Sequence, residues 1–196
     1  MINQFLLKQR ENNTALKPCS SHQLLRNKII TFIVPLLIVF LFHDFFWPEK
    51  PLATFAQADK VVVIKSKRLM MLLQNGEILK TYRIALGKQP LGHKIHEGDH
   101  KTPEGSYILN SRNPKSKYHL SLAISYPNES DILNAQKRGM SPGGSIMIHG
   151  LSEDLATLGK LHRALDWTNG CIAVTNSEIE EIWQLIPDGT PIEIKP

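Results

Sequence analysis

Residues 29–42 are apolar on every face of a helix, interrupted only by Thr31 and Pro35, and the run continues through His43 and Asp44 to Trp47. A stretch of this kind cannot lie on the surface of a soluble domain, and no recognisable domain opens with it, so it divides the chain in two. Fourteen helical residues reach only about 21 Å, short of the ~30 Å hydrocarbon core, but a run to Trp47 is long enough to span. The small-x-small pattern at Ala56 and Ala58 lies twelve residues beyond Phe46, farther than a cleavage region normally extends. The expectation is an uncleaved membrane anchor at 29–47, with removal as an export signal the alternative.

Five cations, Lys8, Arg10, Lys17, Arg26 and Lys28, precede the run, against Lys50 and Lys60 just after it. The positive-inside rule therefore puts residues 1–28 in the cytoplasm as a basic tail. Residues 48–59 form a linker, and 60–196 a single domain large enough for its own core, held on the periplasmic or otherwise extracytoplasmic side of an inner membrane. Of the whole-chain charge of +5, the tail carries +4. From Asp59 onward seventeen Lys and Arg face fifteen Asp and Glu, a net of +2. The basic character belongs mainly to the tail, which removes the case for nucleic-acid binding.

The domain reads as mainly β with a few helices. Segments 61–64, 69–73, 78–85 and 106–110 are strand-like, parted by Asn75-Gly76 and by a Gly-, Pro- and His-bearing stretch at 87–105. Segments 120–126, 145–148 and 172–175 follow as strands. Over 177–186, Ile179, Ile182, Trp183 and Ile186 fall at helical spacing, with Thr175 and Glu178 as a capping box and Pro187 to Gly189 as the stop.

Cys171 and Cys19 are the two cysteines, and the anchor would keep them apart, leaving Cys171 an unpaired exported thiol. Twenty-two positions before it, His149 closes the strand at 145–148. A thiol of pKa ~8.5 needs a base, and a neighbouring imidazole supplies one. If the other ring nitrogen donates to a backbone carbonyl such as that of Gly150, the tautomer is fixed without an Asp. The glycine before the thiol lets the backbone approach a substrate carbonyl, so amides around Asn169, Gly170 and Cys171 are candidate oxyanion donors.

In order along the chain, residues 98–107 (GDHKTPEGSY), 118–127 (YHLSLAISYP), 141–150 (SPGGSIMIHG) and 168–171 (TNGC) resemble the L,D-transpeptidase catalytic domain, the YkuD-type family. The resemblance runs from about Lys60 to Pro196. It implies a β-sandwich of mixed sheets, with Cys171 as nucleophile, His149 as base, the Gly150 carbonyl as orienting group and the amides of Asn169 to Cys171 as oxyanion hole. It further implies a thioester acyl-enzyme formed on a peptidoglycan stem peptide with loss of the terminal D-alanine. An amine of a second stem or of a wall-linked protein would then resolve that thioester, without a cofactor. Asn169 stands where the family usually has His, Ala173 where a polar residue is common, and the His-to-Cys spacing is somewhat long.

Hydrolysis by the same fold, as a carboxypeptidase or an amidase releasing wall-linked material, is the alternative, and an inactive wall-binding module the third reading. Sortases rely on an Arg after the cysteine, and none follows Cys171. Arg112, Tyr118 and His119 are candidates for binding substrate carboxylates or lining a groove. His93, His96 and His100, with Glu97 and Asp99, lie in a Gly-rich loop without a fixed face to converge them, so no metal site is expected.

Overall fold

The computed structural model describes residues 56–196. The basic tail, the 29–47 segment and most of the 48–59 linker lie outside the described residues. Among the described residues no helix is long and apolar enough to cross a membrane.

Among the described residues eight strands form one mixed sheet: β1 (Lys60–Ile64), β2 (Leu69–Gln74), β3 (Glu77–Arg83), β4 (Gly105–Ser116), β5 (His119–Ile124), β6 (Met147–His149), β7 (Ile172–Ala173) and β8 (Thr190–Lys195). Their spatial order is β3-β2-β1-β8-β4-β5-β6-β7. β1 runs parallel to β8, and β6 parallel to β7, while the other pairs are antiparallel. Three consecutive buried valines in β1 fit an internal strand covered on both faces. The β2–β3 hairpin turns at Asn75 and Gly76, whose φ of +54° and +83° are those of a two-residue turn matched to strand twist.

Among the described residues three α-helices accompany the sheet: α1 (Glu129–Gln136), α2 (Glu153–Ala156) and α3 (Asn176–Leu185). In α3 the Thr175 side chain accepts from the Glu178 amide and Glu178 answers at the Thr175 amide, as the sequence predicted. Ile179, Ile182 and Leu185 are buried, joining Val61, Leu72, Ile84, Leu122, Ile148, Ile172 and Val174 in one core.

The extents differ from expectation at several strands, β4 and β7 among them. β4 runs on through Ser116 because its first half pairs with β8 and its second, polar half with β5 alone, so side-chain polarity does not end it. β7 stops at Ala173 because Thr175 is already committed to capping α3.

The two ends of the strand order are brought back together. Ala85, just past β3, exchanges two backbone hydrogen bonds of 2.9 Å with Ala173 in β7, and Gly87 bridges Thr168. The sandwich of mixed strands is thus one curled sheet, and its seam runs beside Cys171.

Candidate active site

His149 ends β6, between Ser121 of β5 and Ala173 of β7. Its Nδ1 lies 2.7 Å from the Gly150 carbonyl oxygen, which can only accept, so Nδ1 carries the proton and Nε2 is the basic nitrogen. Tyr118 stacks on the ring at 4.3 Å, and Trp167 meets it edge-on at 5.9 Å. The side chain is almost wholly buried. Burial holds its pKa below the usual imidazole value, the nearby Lys117 charge adds to the effect, and the Gly150 hydrogen bond offsets only part. The ring is therefore neutral at neutral pH.

Gly150 has to be glycine. A Cβ there would meet Asn176 Oδ1 at 2.6 Å and the Tyr118 carbonyl oxygen at 3.0 Å. The same Asn176 oxygen accepts from Leu151 N–H at 2.7 Å, so the first residue of α3 fixes the chain as it leaves His149.

Cys171 lies just before β7, two residues ahead of the partner of His149, an even offset that puts both side chains on one side of the sheet. The turn into it is built by Thr168. Its hydroxyl donates to the Cys171 carbonyl at 2.8 Å and accepts from Gly170 N–H at 3.1 Å, while its own N–H donates to Leu86 O. Gly170 takes φ +131°, and a Cβ would come within 2.7 Å of the Lys101 carbonyl oxygen. Gly87 is packed as closely against His100 O. The turn that presents Cys171 is thus clamped between 85–88 on one side and 100–101 on the other. The thiol donates weakly to Ser145 O at 3.5 Å. Burial pushes its pKa up, against the Met147 amide and the Lys94 charge, which pull it down.

Cys171 and His149 line one cleft of about 640 Å³ with Tyr118, Trp167, Thr168 and Asn169. Gly150 and Gly170 do not line it, but their backbones bond to His149 and Thr168, which do. The Gly170 N–H expected to face an oxyanion is engaged by Thr168.

Two expected substrate-binding residues are elsewhere. Arg112 donates to the Trp183 carbonyl at 2.6 Å, to the Ile186 carbonyl and to Asp188 at 2.6 Å, with its guanidinium over the Trp183 ring at 5.1 Å. It secures the C-terminal end of α3, where unpaired carbonyls suit a planar donor as well as a ligand carboxylate does. His119 contacts Glu180 at 2.6 Å and lines a separate depression with Ser116 and Ser152. Its neighbour Tyr118 is the one of the three that faces the cleft.

Sequence reasoning missed Trp167, the structural part played by Thr168, and the wall made by 94–101. There Asp99 accepts from the amides of Ile95, His96 and Lys101 and from Lys94 Nζ. Burial works against its charge, but Lys94 and these amides outweigh it and hold its pKa at about 2. Most of the donors to this carboxylate are backbone N–H groups, which no residue pattern marks. The histidines of this stretch disperse: His93 contacts Asp131, His96 the Glu97 carbonyl, and His100 lines the cleft.

Residues 58–194 match the family described as the L,D-transpeptidase catalytic domain. YafK of Escherichia coli K12 is 32% identical over 112 residues, 56% of this chain and 38% of that protein. Among solved structures, the helical cell shape determining protein Pgp2 from Campylobacter jejuni is similar with a TM-score of 0.55 at 29% identity, covering 72% of this chain and 49% of that one. The chain matches about half or less of the length of these relatives.

Proposed function

Because the chain belongs to the L,D-transpeptidase catalytic domain family, we propose that it is a cysteine-dependent transpeptidase acting on peptidoglycan stem peptides outside the cytoplasm. In this reading residues 29–47 anchor it in the membrane. The observation that carries the proposal is the buried hydrogen bond from His149 Nδ1 to Gly150 O, which leaves Nε2 as the base in the cleft that also holds Cys171.

The Cys171 proton passes to His149 Nε2 as Sγ attacks the carbonyl carbon of the L-centre diamino acid. The amides of Asn169 and Cys171 receive the developing oxyanion. Collapse breaks the C–N bond to the terminal D-alanine, whose amine takes the proton from His149, and a thioester remains. An acceptor amine gives its proton to His149, attacks the thioester carbonyl and expels Sγ, which recovers the proton. Since both groups rest neutral, the proton moves during attack, and the aromatic packing of Tyr118 and Trp167 keeps the imidazole in place for it.

The test is the full chain in detergent with a tetrapeptide-bearing disaccharide, its products resolved by mass. Dimers lacking one D-alanine are the expected result. Tripeptide monomers alone, or release of a wall-linked protein, identify a hydrolase, and absence of any acyl-enzyme identifies a binding module. Cys171→Ser should abolish the acyl-enzyme, and His149→Ala should slow turnover by about 10²- to 10⁴-fold. Near-normal turnover by folded Cys171→Ser protein would refute the mechanism.

A further inference from the structure

The charge on the cleft walls is uneven. Lys88, Lys94 and Lys117 line it against a single carboxylate, that of Glu97. Lys94 is already committed, with Nζ 2.8 Å from Asp99 and 2.9 Å from the His96 carbonyl oxygen. Lys88 and Lys117 are exposed, and neither forms an ion pair among the described residues.

Both are nevertheless attached to catalytic elements. The Lys88 N–H donates to Thr168 O at 3.0 Å, so its side chain leaves the backbone beside the turn that presents Cys171. Lys117 Nζ stands 5.1 Å from the centroid of the Tyr118 ring, and that ring stacks at 4.3 Å on His149. A ring face localises an ammonium without neutralising it, unlike a carboxylate partner. Its charge is felt at His149, whose basicity it lowers. Two cations without an ion-pair partner among the described residues, both lining the cleft of Cys171 and His149, make an attractive field for an anion entering it.

Building on the peptide-processing reading above, we propose that Lys117 and Lys88 form a carboxylate-recognition pair that selects peptide donors bearing a free C-terminal carboxylate. Lys117 acts from the His149 side and Lys88 from the Cys171 side, so a carboxylate between them places the neighbouring peptide carbonyl over Sγ. Because both side chains face solvent, each contributes at the scale of an exposed pair, and the preference weakens with salt.

Binding separates this inference from turnover. Full-length Cys171→Ser protein in detergent is titrated calorimetrically with a free stem tetrapeptide and with its C-terminal amide, at low salt and in 0.5 M salt, a concentration about three times physiological. The acid is expected to bind about fivefold or more tighter than the amide at low salt, with the gap closing in high salt. Lys117→Gln and Lys88→Gln should each bind the acid more weakly and narrow the gap between acid and amide, while Lys117→Arg retains the preference. Equal binding of acid and amide by the parent protein, or an undiminished preference in both Gln variants, overturns the proposal. A protein that prefers the acid yet turns over neither peptide would sink the catalytic reading and leave the recognition pair standing.

Discussion

At Cys171 and His149 the same cause, burial, moves the two pKa values in opposite directions, the thiol up and the imidazole down. The pair therefore rests uncharged rather than as thiolate and imidazolium. Iodoacetamide alkylation of Cys171 should be slow at pH 6 and rise about tenfold per pH unit without a plateau near pH 7, because only thiolate reacts. A rate already flat at pH 7 would show a resting ion pair instead. Gly170, like Gly150, is a residue whose identity the backbone dictates. Gly170→Ala forces a Cβ against the Lys101 carbonyl at a φ that L side chains rarely adopt, so it should cost about 2 kcal/mol or more in urea unfolding and impair acylation as the turn shifts. Cys171 and His149 were legible in sequence as a candidate pair because each stands in a short motif at an element boundary, and the structure lines one cleft with both. Arg112 was not, since a guanidinium suits helix-end carbonyls and ligand carboxylates equally, and only its neighbours decide between them.

Among the elements, α3 was legible almost to the residue. Its apolar period and its Thr175–Glu178 box are local signals, and both survive in the structure. The wall at 94–101 had no such signal, for its order comes from one side chain gathering three amides and an ammonium. Asp99→Asn should cost about 2 kcal/mol near neutral pH, the scale of buried hydrogen bonds to a charged group. Since the native pKa of Asp99 is about 2, against ~3.9 in an unfolded chain, its contribution is complete above pH 4 and is lost as pH falls toward 2. Urea midpoints of the two proteins should accordingly converge between pH 4 and pH 2. A gap that stays constant over this range would assign the loss to packing rather than charge.

For the whole molecule, the 29–47 run makes a prediction independent of the catalytic domain. In its native host the chain should fractionate with membranes, resist high salt and be released by detergent, whereas a mature N-terminus at Asp59 would make it a secreted, soluble enzyme. The sequence by itself determined the β-rich class, the hairpin at Asn75-Gly76 and the capped α3, and it marked Cys171 and His149 as the candidate pair, because periodicity, turn chemistry and residue type act over a few neighbouring positions. Tertiary structure alone decided that the sheet curls until Ala85 meets Ala173, that Gly87 and Gly170 pack against 100–101, and that Tyr118 faces the cleft while Arg112 and His119 do not. The reason is physical. Alternation along a strand says which side a residue takes, but what fills the space on that side is set by chain brought back from as far as 88 positions away, through contacts that leave no local pattern.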